Sequence, residues 1–493
     1  MPGKFYKLVF SGEVLAGQSL EQVKRKLAHM FKLDEQQIST LFSGKRVVLR
    51  RRVDSQGALR FKLAFEEAGA LLRVEALLPE ERLRVDEAVE RPRYEKSNGI
   101  QAGVGVSHHR NPKVAGQEAA NKALDAAGVE KPDFVFMFAS VGYDQHALLE
   151  SVRGITSGAP LCGCSGEGII TAAEADESNF SVAVMTVASD QLRFSNGIVS
   201  GLKEDPAKAG RAIAKTIQPE VGPDTLALFL FPDGVTVNFD PLVASLEEQL
   251  NLDHLLPLVG GTAGDNLQFK RTYQYCNDHI VSDGVAWALL SGQAKIAWAV
   301  NHSCVPIGVD YKVTRCEGNV IYEIADRPVL DILKDYLTDE ELEDWMKVVM
   351  TFSFGIKVPG HMEGYDEYVI RGMVGGKDDT RGSVTVPTEV SEGTSICITR
   401  RDYEKLANGI DRLAEEIKTQ LGGNPAKLVF QFDCAGRGKT FLREEQKLRL
   451  LETLRREIGP DVPWVGFYTF GEIAPVGGHN CFHNYTAVLT AIF

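Results

Sequence analysis

Pro463-Trp-Val-Gly466-Phe-Tyr-Thr469-Phe-Gly471-Glu472 is the last of three segments that share one plan. In each, glycine follows a proline by three residues, and a second glycine follows four or five residues later. The other two copies occupy residues 160–168 and 257–265. A short apolar strand and a helix-like stretch precede each copy. The repeat predicts an α/β fold in which related loops are built several times around one shared pocket.

Length and composition narrow the class of protein. A chain of 493 residues is expected to form two or three domains. Its net charge of -13, from 67 acidic and 54 basic side chains, disfavours binding to nucleic acid or to an anionic membrane. A local basic patch at residues 44–52 is interpreted as the solvated face of a strand.

Apolar runs and cysteines indicate the compartment. No apolar run approaches the ~20 residues of a membrane-spanning helix, and the first residues alternate as a strand rather than forming a signal sequence. The eight cysteines include no CxxC pair, which favours reduced thiols. We therefore expect a cytoplasmic protein without membrane insertion.

Periodicity divides the chain. Residues 1–79 alternate strands and helices in the manner of a small ferredoxin-like module. Residues 80–97 are charged and poor in apolar side chains, as in a linker. Beyond them, the continuous apolar run at 134–138 predicts a central strand covered on both faces, and apolar strands are also predicted at 226–231 and 427–432. Residues 327–350 are predicted to be helical.

Several further blocks resemble those of FIST proteins (F-box and intracellular signal transduction). Besides the three glycine segments these are Gly103-Val-Gly-Val-Ser107, Cys434-Ala-Gly-Arg437 and His483-Asn-Tyr-Thr486. The resemblance implies mixed α/β sheets in an N-terminal lobe, residues 98–322, and a C-terminal lobe, residues 323–493. It further implies an intracellular sensory protein, not an enzyme, that binds a small molecule and signals through a separate output protein. The usual family acid is displaced in the first loop, at Glu167, so an acidic role is expected at Asp265 and Glu472 instead.

The glycine loops and the blocks beside them supply the candidate ligand contacts. Glycine lets backbone N–H groups approach a ligand closely. Arginine can grip a carboxylate in two places, an acid can pair with an amine, and hydroxyl or amide groups orient the ligand. We expect an amino-acid-like compound or an organic acid between the lobes. The candidate residues are Gly163, Ser165, Gly260, Thr262, Asp265, Cys434, Arg437, Glu472, His483 and Asn484.

Two enzymatic alternatives depend on the same loops. Residues 433–440 end in Gly-Lys-Thr as a nucleotide-binding P-loop does, but Asp433 stands where that motif needs glycine. The same residues could instead form an anion site or an Arg437–Asp433 ion pair. Residues 163–167 approach the nucleophile elbow of serine hydrolases but have glutamate in place of the second glycine.

The histidines leave open whether the protein binds a cofactor. Some FIST-like proteins resemble haem-bound nitric oxide sensors, and one histidine can serve as an axial ligand. His479 and His483 would share a face on a helix, but the glycines before them favour a loop, so no metal site is expected. We expect no cofactor, with haem as the alternative.

Overall fold

The computed structural model describes residues 5–15, 17–31, 35–43, 46–76, 99–358 and 366–493. The chain separates into two compact units, residues 1–93 and 94–493. The predicted linker at residues 80–97 lies outside the described residues, as does part of the basic stretch at 44–52.

The first unit contains a three-stranded antiparallel sheet in the order β2-β1-β3. Its elements are β1 (Phe5–Phe10), α1 (Leu20–Phe31), α2 (Glu35–Leu41), β2 (Val47–Asp54), α3 (Ser55–Ala68) and β3 (Arg73–Ala76). Strands and helices alternate as predicted. The ferredoxin-like arrangement is not confirmed, since it has four strands and the described part of this unit shows three.

The second unit is built from three copies of one motif: strand, helix, strand, helix, strand, hairpin, strand. The first copy is β4 (Ile100–Ser107), α4 (Pro112–Ala127), β5 (Phe134–Ser140), α5 (Gln145–Ile155), β6 (Leu161–Gly166), the hairpin β7 (Ile169–Thr171) with β8 (Ala175–Asp176), and β9 (Val182–Ser189). The second is β10 (Leu192–Ser200), α6 (Pro206–Ile217), β11 (Thr225–Pro232), α7 (Phe239–Leu250), β12 (Leu258–Gly261), the hairpin β13 (Gln274–Cys276) with β14 (His279–Val281), and β15 (Gly284–Gly292).

The third copy is interrupted by an insert. It begins with β16 (Ile296–His302) and resumes about a hundred residues later along the chain. Its remaining elements are α11 (Tyr403–Leu421), β26 (Leu428–Cys434), α12 (Glu444–Ile458), β27 (Trp464–Thr469), the hairpin β28 (Glu472–Val476) with β29 (His479–His483), and β30 (Thr486–Ile492).

The insert is a separate layer with its own apolar core. Its described residues form a nine-stranded sheet and three short helices. Its elements are β17 (Cys304–Pro306), β18 (Tyr311–Glu317), β19 (Val320–Ile324), β20 (Arg327–Pro328), α8 (Val329–Leu333), α9 (Asp339–Glu343), α10 (Trp345–Thr351), β21 (Phe352–Lys357), β22 (Tyr368–Arg371), β23 (Val374–Asp378), β24 (Ser383–Thr385) and β25 (Ser395–Arg401).

Each copy completes its sheet with a hairpin from another copy. The three sheets run β4-β9-β5-β6-β13-β14, β10-β15-β11-β12-β28-β29 and β16-β30-β26-β27-β7-β8. The first copy therefore receives the hairpin of the second, the second that of the third, and the third that of the first. In each sheet the two central strands are parallel, β5 with β6, β11 with β12 and β26 with β27.

Phenylalanine rings from the three central strands fill the axis between the sheets. The rings of Phe136, Phe229 and Phe430 form a triangle with centroid separations of 5.4, 4.9 and 4.8 Å. Aromatic pairs at this spacing add to the stability that burial provides. The helices cover the outer faces of the sheets. The inner faces of the three sheets pack together in one apolar core that all three copies share.

The local sequence explains where the helices begin and end. Helix α4 starts with Pro112, and the Asn111 side chain before it accepts hydrogen bonds from the N–H groups of Lys113 and Val114. The helix ends at Gly128, whose φ of 66° suits a residue without a Cβ.

The fold class and most predicted elements of the second unit are confirmed, and one prediction is wrong. The predicted helical region at residues 327–350 contains three short helices, because a capping box at Thr338 and an N-cap at Asp344 each begin a new helix. The loop expected around His479 and His483 is instead strand β29, of which they are the first and last residues. The exchanged hairpins were not predicted.

The first glycine of each repeated segment permits a close approach of paired strands. Gly163, Gly260 and Gly466 lie opposite residues 137, 230 and 431 on the parallel partner strand. A Cβ atom on these glycines would lie 1.8, 2.1 and 1.7 Å from the partner's carbonyl oxygen. Because that oxygen belongs to the backbone of a buried strand, it cannot move aside cheaply.

We expect Gly163→Ala, Gly260→Ala or Gly466→Ala each to destabilise the protein by about 3 kcal/mol through overpacking. Gly154→Ala in α5 is the matched control, since nothing lies within 4 Å of the added Cβ. The control should raise stability by about 0.5–1 kcal/mol. Chemical unfolding of the four variants measures both effects. Equal stability of Gly466→Ala and Gly154→Ala would contradict the close-approach argument.

Candidate functional site

The three glycine loops meet at one end of the shared core and hydrogen-bond to one another. Gly264 N–H donates to Ser165 O at 3.0 Å, and Thr262 N–H donates to Gly471 O at 2.8 Å. Glu167 N–H closes the ring by donating to Tyr468 O at 2.9 Å. The repeated segments therefore converge as predicted, but among the described lining residues of the cavity beside them only Thr469 and Phe470 belong to a repeated segment.

The loop that follows the second segment is held by a buried carboxylate. Asp265 is 2 % exposed, and its two oxygens accept four backbone N–H groups of residues 268–271 at 2.6–3.0 Å. Leu267 and Phe269 in this loop have φ of 56° and 52°, a conformation that is uncommon for residues other than glycine. The carboxylate thus stabilises a strained loop and has no capacity left for a ligand amine.

Glu167 from the first loop holds the same strained segment. Its Oε1 accepts hydrogen bonds from Asp265 N–H at 2.7 Å and Leu267 N–H at 3.0 Å, while Oε2 is buried without a partner. Burial raises the pKa of Glu167 from its usual 4.5 to about 7, against the opposing effect of the two N–H groups and of Lys439. The acid that the sequence analysis set aside therefore positions the loop.

A cavity of about 130 Å³ lies beside the ring of loops. Its floor comes from the second and third copies of the motif and its roof from the insert. The lining residues are Gly234, Val235, Leu267, Phe269, Val349, Met350, Gly372, Met373, Cys434, Ala435, Gly436, Thr469, Phe470, Asn484 and Tyr485. None of these described lining residues carries a charge.

One wall of the cavity is aromatic. Phe269 and Phe470 stack with ring centroids 4.5 Å apart and an angle of 13° between the ring planes. Gly234 permits this arrangement, since a Cβ there would lie 2.9 Å from the Phe470 ring. Apolar walls with a few fixed polar groups are typical of sites for small molecules.

Several hydrogen bonds connect the floor to the insert. Asn484 Oδ1 accepts from Gly372 N–H at 2.8 Å, the Tyr485 hydroxyl donates to Val349 O, and Arg401 Nη1 donates to Gly436 O. Tyr485 has φ of 53°, so strain also occurs on this side of the cavity. The roof is thereby attached at the residues that line the cavity.

Two of the ten predicted contacts, Cys434 and Asn484, line this cavity. Gly163 and Gly260 permit strand pairing instead. Ser165 Oγ donates to Gly264 O at 2.7 Å and accepts from Tyr273 N–H at 3.0 Å, so it joins two loops rather than contacting a ligand. Thr262 is fully buried beside the third loop and is not among the lining residues.

Three further predicted contacts are buried away from the lining. Arg437 donates from Nε to Asp433 Oδ1 at 2.6 Å, which is the ion pair that the sequence left as an alternative. Glu472 accepts from the Thr469 hydroxyl and, at 3.1 Å, from Thr486 N–H, and burial raises its pKa well above the usual value. Burial lowers the pKa of His483 to about 3, so this side chain is neutral. The lining of this cavity therefore does not support the expected grip on a carboxylate and an amine.

The anion site resembling a P-loop is filled by the protein itself. Glu177 Oε2 accepts from Lys439 N–H at 2.7 Å and from Lys447 Nζ at 2.8 Å. A Cβ at Gly438 would lie 2.3 Å from Glu177 Oε1, so glycine is needed there. A carboxylate from the first copy thus occupies the position where phosphate would bind.

Sequence reasoning missed most of the cavity wall. Phe470 and Tyr485 lie inside two of the blocks that resemble FIST proteins. From the sequence, an aromatic residue in such a block could equally well be buried in the core. Nothing in the sequence indicated that the insert residues Met350 and Met373 line a cavity, because their position there depends on how the insert folds over the loops. In the described ranges no three His, Cys, Asp or Glu side chains are arranged to hold a metal ion.

The fold and site together define a class: a two-lobed α/β protein with an uncharged cavity where the lobes meet. Comparison with known families gives the particular one. The chain belongs to the FIST family, since a FIST N domain matches residues 133–327 and a FIST C domain matches residues 330–475. FIST domains are associated with signal transduction, and both domains contribute residues to the cavity. None of the helices described here has the length and apolar character of a membrane span.

Relatives extend over most of the chain. An uncharacterized protein of Mycobacterium tuberculosis is 27% identical over 405 residues, which cover 79% of this chain and 98% of that protein. An uncharacterized protein of Methanocaldococcus jannaschii is 26% identical over 212 residues, or 41% of this chain and 40% of that protein. A cyanuric acid hydrolase structure from A. caulinodans aligns over 80% of this chain and 99% of that chain with a TM-score of 0.32 and 10% identity.

Removal of the Glu177 charge should destabilise the protein by roughly 3–5 kcal/mol, because Lys447 would lose its buried partner and keep only an exposed one. The side chains of Glu177 and Lys447 are 3% and 4% exposed. Glu444 pairs with the same lysine at 2.8 Å but is 64% exposed, so Glu444→Gln should cost less than about 1 kcal/mol. Urea unfolding of Glu177→Gln and Glu444→Gln compares them. Similar losses would show that burial of the pair is unimportant.

Glu167 should make stability fall as the pH rises from about 4.5 to about 7. Within this window the folded protein retains a proton on Glu167 that the unfolded chain has lost. Glu167→Gln cannot titrate, so its stability relative to the wild type should rise by roughly 3 kcal/mol across the window and then level off. Thermal unfolding from pH 4.5 to 8 measures the difference, with exposed Glu150→Gln as the control. Parallel curves for wild type and Glu167→Gln would contradict the assignment.

Proposed function

We propose that this protein is a sensor that binds a small, neutral and largely apolar molecule between its FIST N and FIST C domains. The observation that supports this proposal best is the uncharged cavity lined by residues of both domains. Val235 and Phe269 come from the FIST N part, and Met350 and Phe470 from the FIST C part.

The lining argues for a neutral ligand rather than an amino acid or an organic acid. An ionised carboxylate or ammonium group that leaves water needs a paired charge and hydrogen bonds. Two nearby pairs of charged groups, Asp433 with Arg437 and Glu177 with Lys447, are already paired with each other, and Arg401 donates to Gly436 O. Their neutralisation within the protein leaves an apolar surface for the ligand.

The size of the cavity limits the ligand to about one ring. A comparable apolar cavity of ~150 Å³ holds benzene. The stacked pair Phe269 and Phe470 offers an aromatic wall, and Met350 and Met373 are side chains that adapt to irregular shapes. A planar ring with a small substituent fits these dimensions.

Occupancy can reach a partner through the insert. The roof residues Val349 and Gly372 are hydrogen-bonded to the floor residues Tyr485 and Asn484, so a ligand between them contacts both sides. A ligand that binds one arrangement of roof and floor more tightly shifts the population toward it. A separate protein that recognises the surface of the insert would then carry the output.

The alternative functions receive less support. A haem macrocycle is much larger than this cavity, and no histidine is among the described lining residues, so the site does not fit haem. The Ser165 hydroxyl is occupied by backbone groups, and Lys439 Nζ donates to Glu177 O at 3.0 Å. Neither the hydrolase nor the nucleotide-hydrolysing alternative is supported by these contacts.

Small neutral rings should raise the thermal stability of the protein, and charged analogues of equal size should not. Phenol, toluene and 2-pyridone represent the neutral class, and benzoate and benzylamine the charged class. At 100 times its dissociation constant a ligand adds about 2.7 kcal/mol. Differential scanning fluorimetry with each compound tests the charge preference. Stabilisation by benzoate equal to that by phenol would contradict the proposal.

A blocked cavity provides the matched control. Val235 lines the cavity and is 37% exposed, so Val235→Trp can fill the opening without disturbing the core. Val309 is 63% exposed and is not a lining residue. We expect Val235→Trp to abolish the thermal shift and Val309→Trp to retain it. Retention of the shift in both variants would place the ligand elsewhere.

A further inference from the structure

We infer that the ligand of this cavity carries a lactam-type edge, an N–H next to a C=O on a planar ring, and that Asn484 recognises it. The inference rests on the proposed function, since it concerns the same cavity. It specifies which neutral rings bind and which residue selects them.

The hydrogen bonds of Asn484 leave one donor and one acceptor. Its Oδ1 accepts from Gly372 N–H at 2.8 Å, and its Nδ2 donates to Phe470 O at 3.2 Å. A carboxamide has two N–H donors and two lone pairs on its oxygen. One N–H and one lone pair therefore remain, on a side chain that is 4 % exposed and lines the cavity.

The two hydroxyl groups of the described lining are already committed as donors, and the Cys434 thiol is only a weak donor and acceptor. The Thr469 hydroxyl donates to Glu472, and the Tyr485 hydroxyl donates to Val349 O. Each has acceptor capacity left but no further hydrogen to give. Asn484 is thus the lining side chain that can both donate to and accept from a single ligand.

The remaining donor and acceptor belong to one planar carboxamide group. A cis amide edge is the group that can satisfy both with two parallel hydrogen bonds, and a six-membered lactam or cyclic imide presents this edge without any charge. Phe269 and Phe470 supply the aromatic wall for such a flat ring. Buried polar groups that would otherwise lack partners give strong selectivity against a ring without the edge.

The same residue connects recognition to the roof. The bonds that Asn484 makes hold Gly372 of the insert and Phe470 of the third loop. Polarisation of this amide by a ligand strengthens the chain of hydrogen bonds that reaches the insert. Binding of the lactam edge would therefore be sensed at the roof, whereas a hydrocarbon ring would fill the space without this contact.

The test compares 2-pyridone, N-methyl-2-pyridone and toluene on the full chain by isothermal titration calorimetry. N-methylation removes the ring N–H and keeps the carbonyl, so it should weaken binding about 10-fold, the loss expected for one unmade hydrogen bond to a buried group. Toluene should bind more weakly still. Since this comparison uses the wild-type protein, it does not depend on the folding of any variant.

Asn484→Leu extends the test to the residue. In this variant the preference for 2-pyridone over N-methyl-2-pyridone should fall below about 2-fold, whereas Asn121→Leu on the outside of α4 should keep the wild-type preference. Equal affinity of the wild type for all three compounds would overturn the inference and leave the proposed function standing. Binding of none of the three would overturn both. An unchanged preference in folded Asn484→Leu would also overturn the inference.

Discussion

The close contact between two parallel strands in each copy of the motif is the constraint on which the second unit depends. Gly163, Gly260 and Gly466 bring the carbonyl oxygen of the neighbouring strand to a distance that no side chain would allow. This approach brings the ends of three strand pairs near one axis, where the loops can hydrogen-bond to each other. The phenylalanine triangle then fills the space behind them.

The candidate site arises where the threefold plan is broken. The insert enters the third copy and covers the second and third loops, so the cavity has an apolar roof on that side. Carboxylates near the loops accept hydrogen bonds from the protein's own backbone and leave little capacity for a ligand. Asp265 and Glu167 hold the strained segment that carries Leu267 and Phe269, and Glu177 fills the anion site. Buried charges that satisfy backbone groups in this way are costly to expose to a second partner.

The features that could be predicted from the sequence depend on residues close together along the chain. The central strands and the glycine turns were predictable, since apolar runs and proline–glycine spacing act over a few residues. The partners of polar groups were not, because Glu177 meets Lys439 across 262 positions and Glu167 meets Asp265 across 98. Arg437 is an example of a residue whose partner the sequence could not decide. Its sequence allowed either a ligand contact or an ion pair with Asp433, and only the fold shows the ion pair.

The exchange of hairpins bears on how the polypeptide can be synthesised and folded. The sheet of the second copy, whose own strands end at Gly292, acquires its last two strands from Glu472–His483. A chain emerging from the ribosome therefore exposes an unpaired edge at β12 until residues 472–483 have been synthesised. Such an edge is a template for wrong pairing with other chains. Loss of β28 and β29 would harm a sheet that was begun more than two hundred residues earlier along the chain.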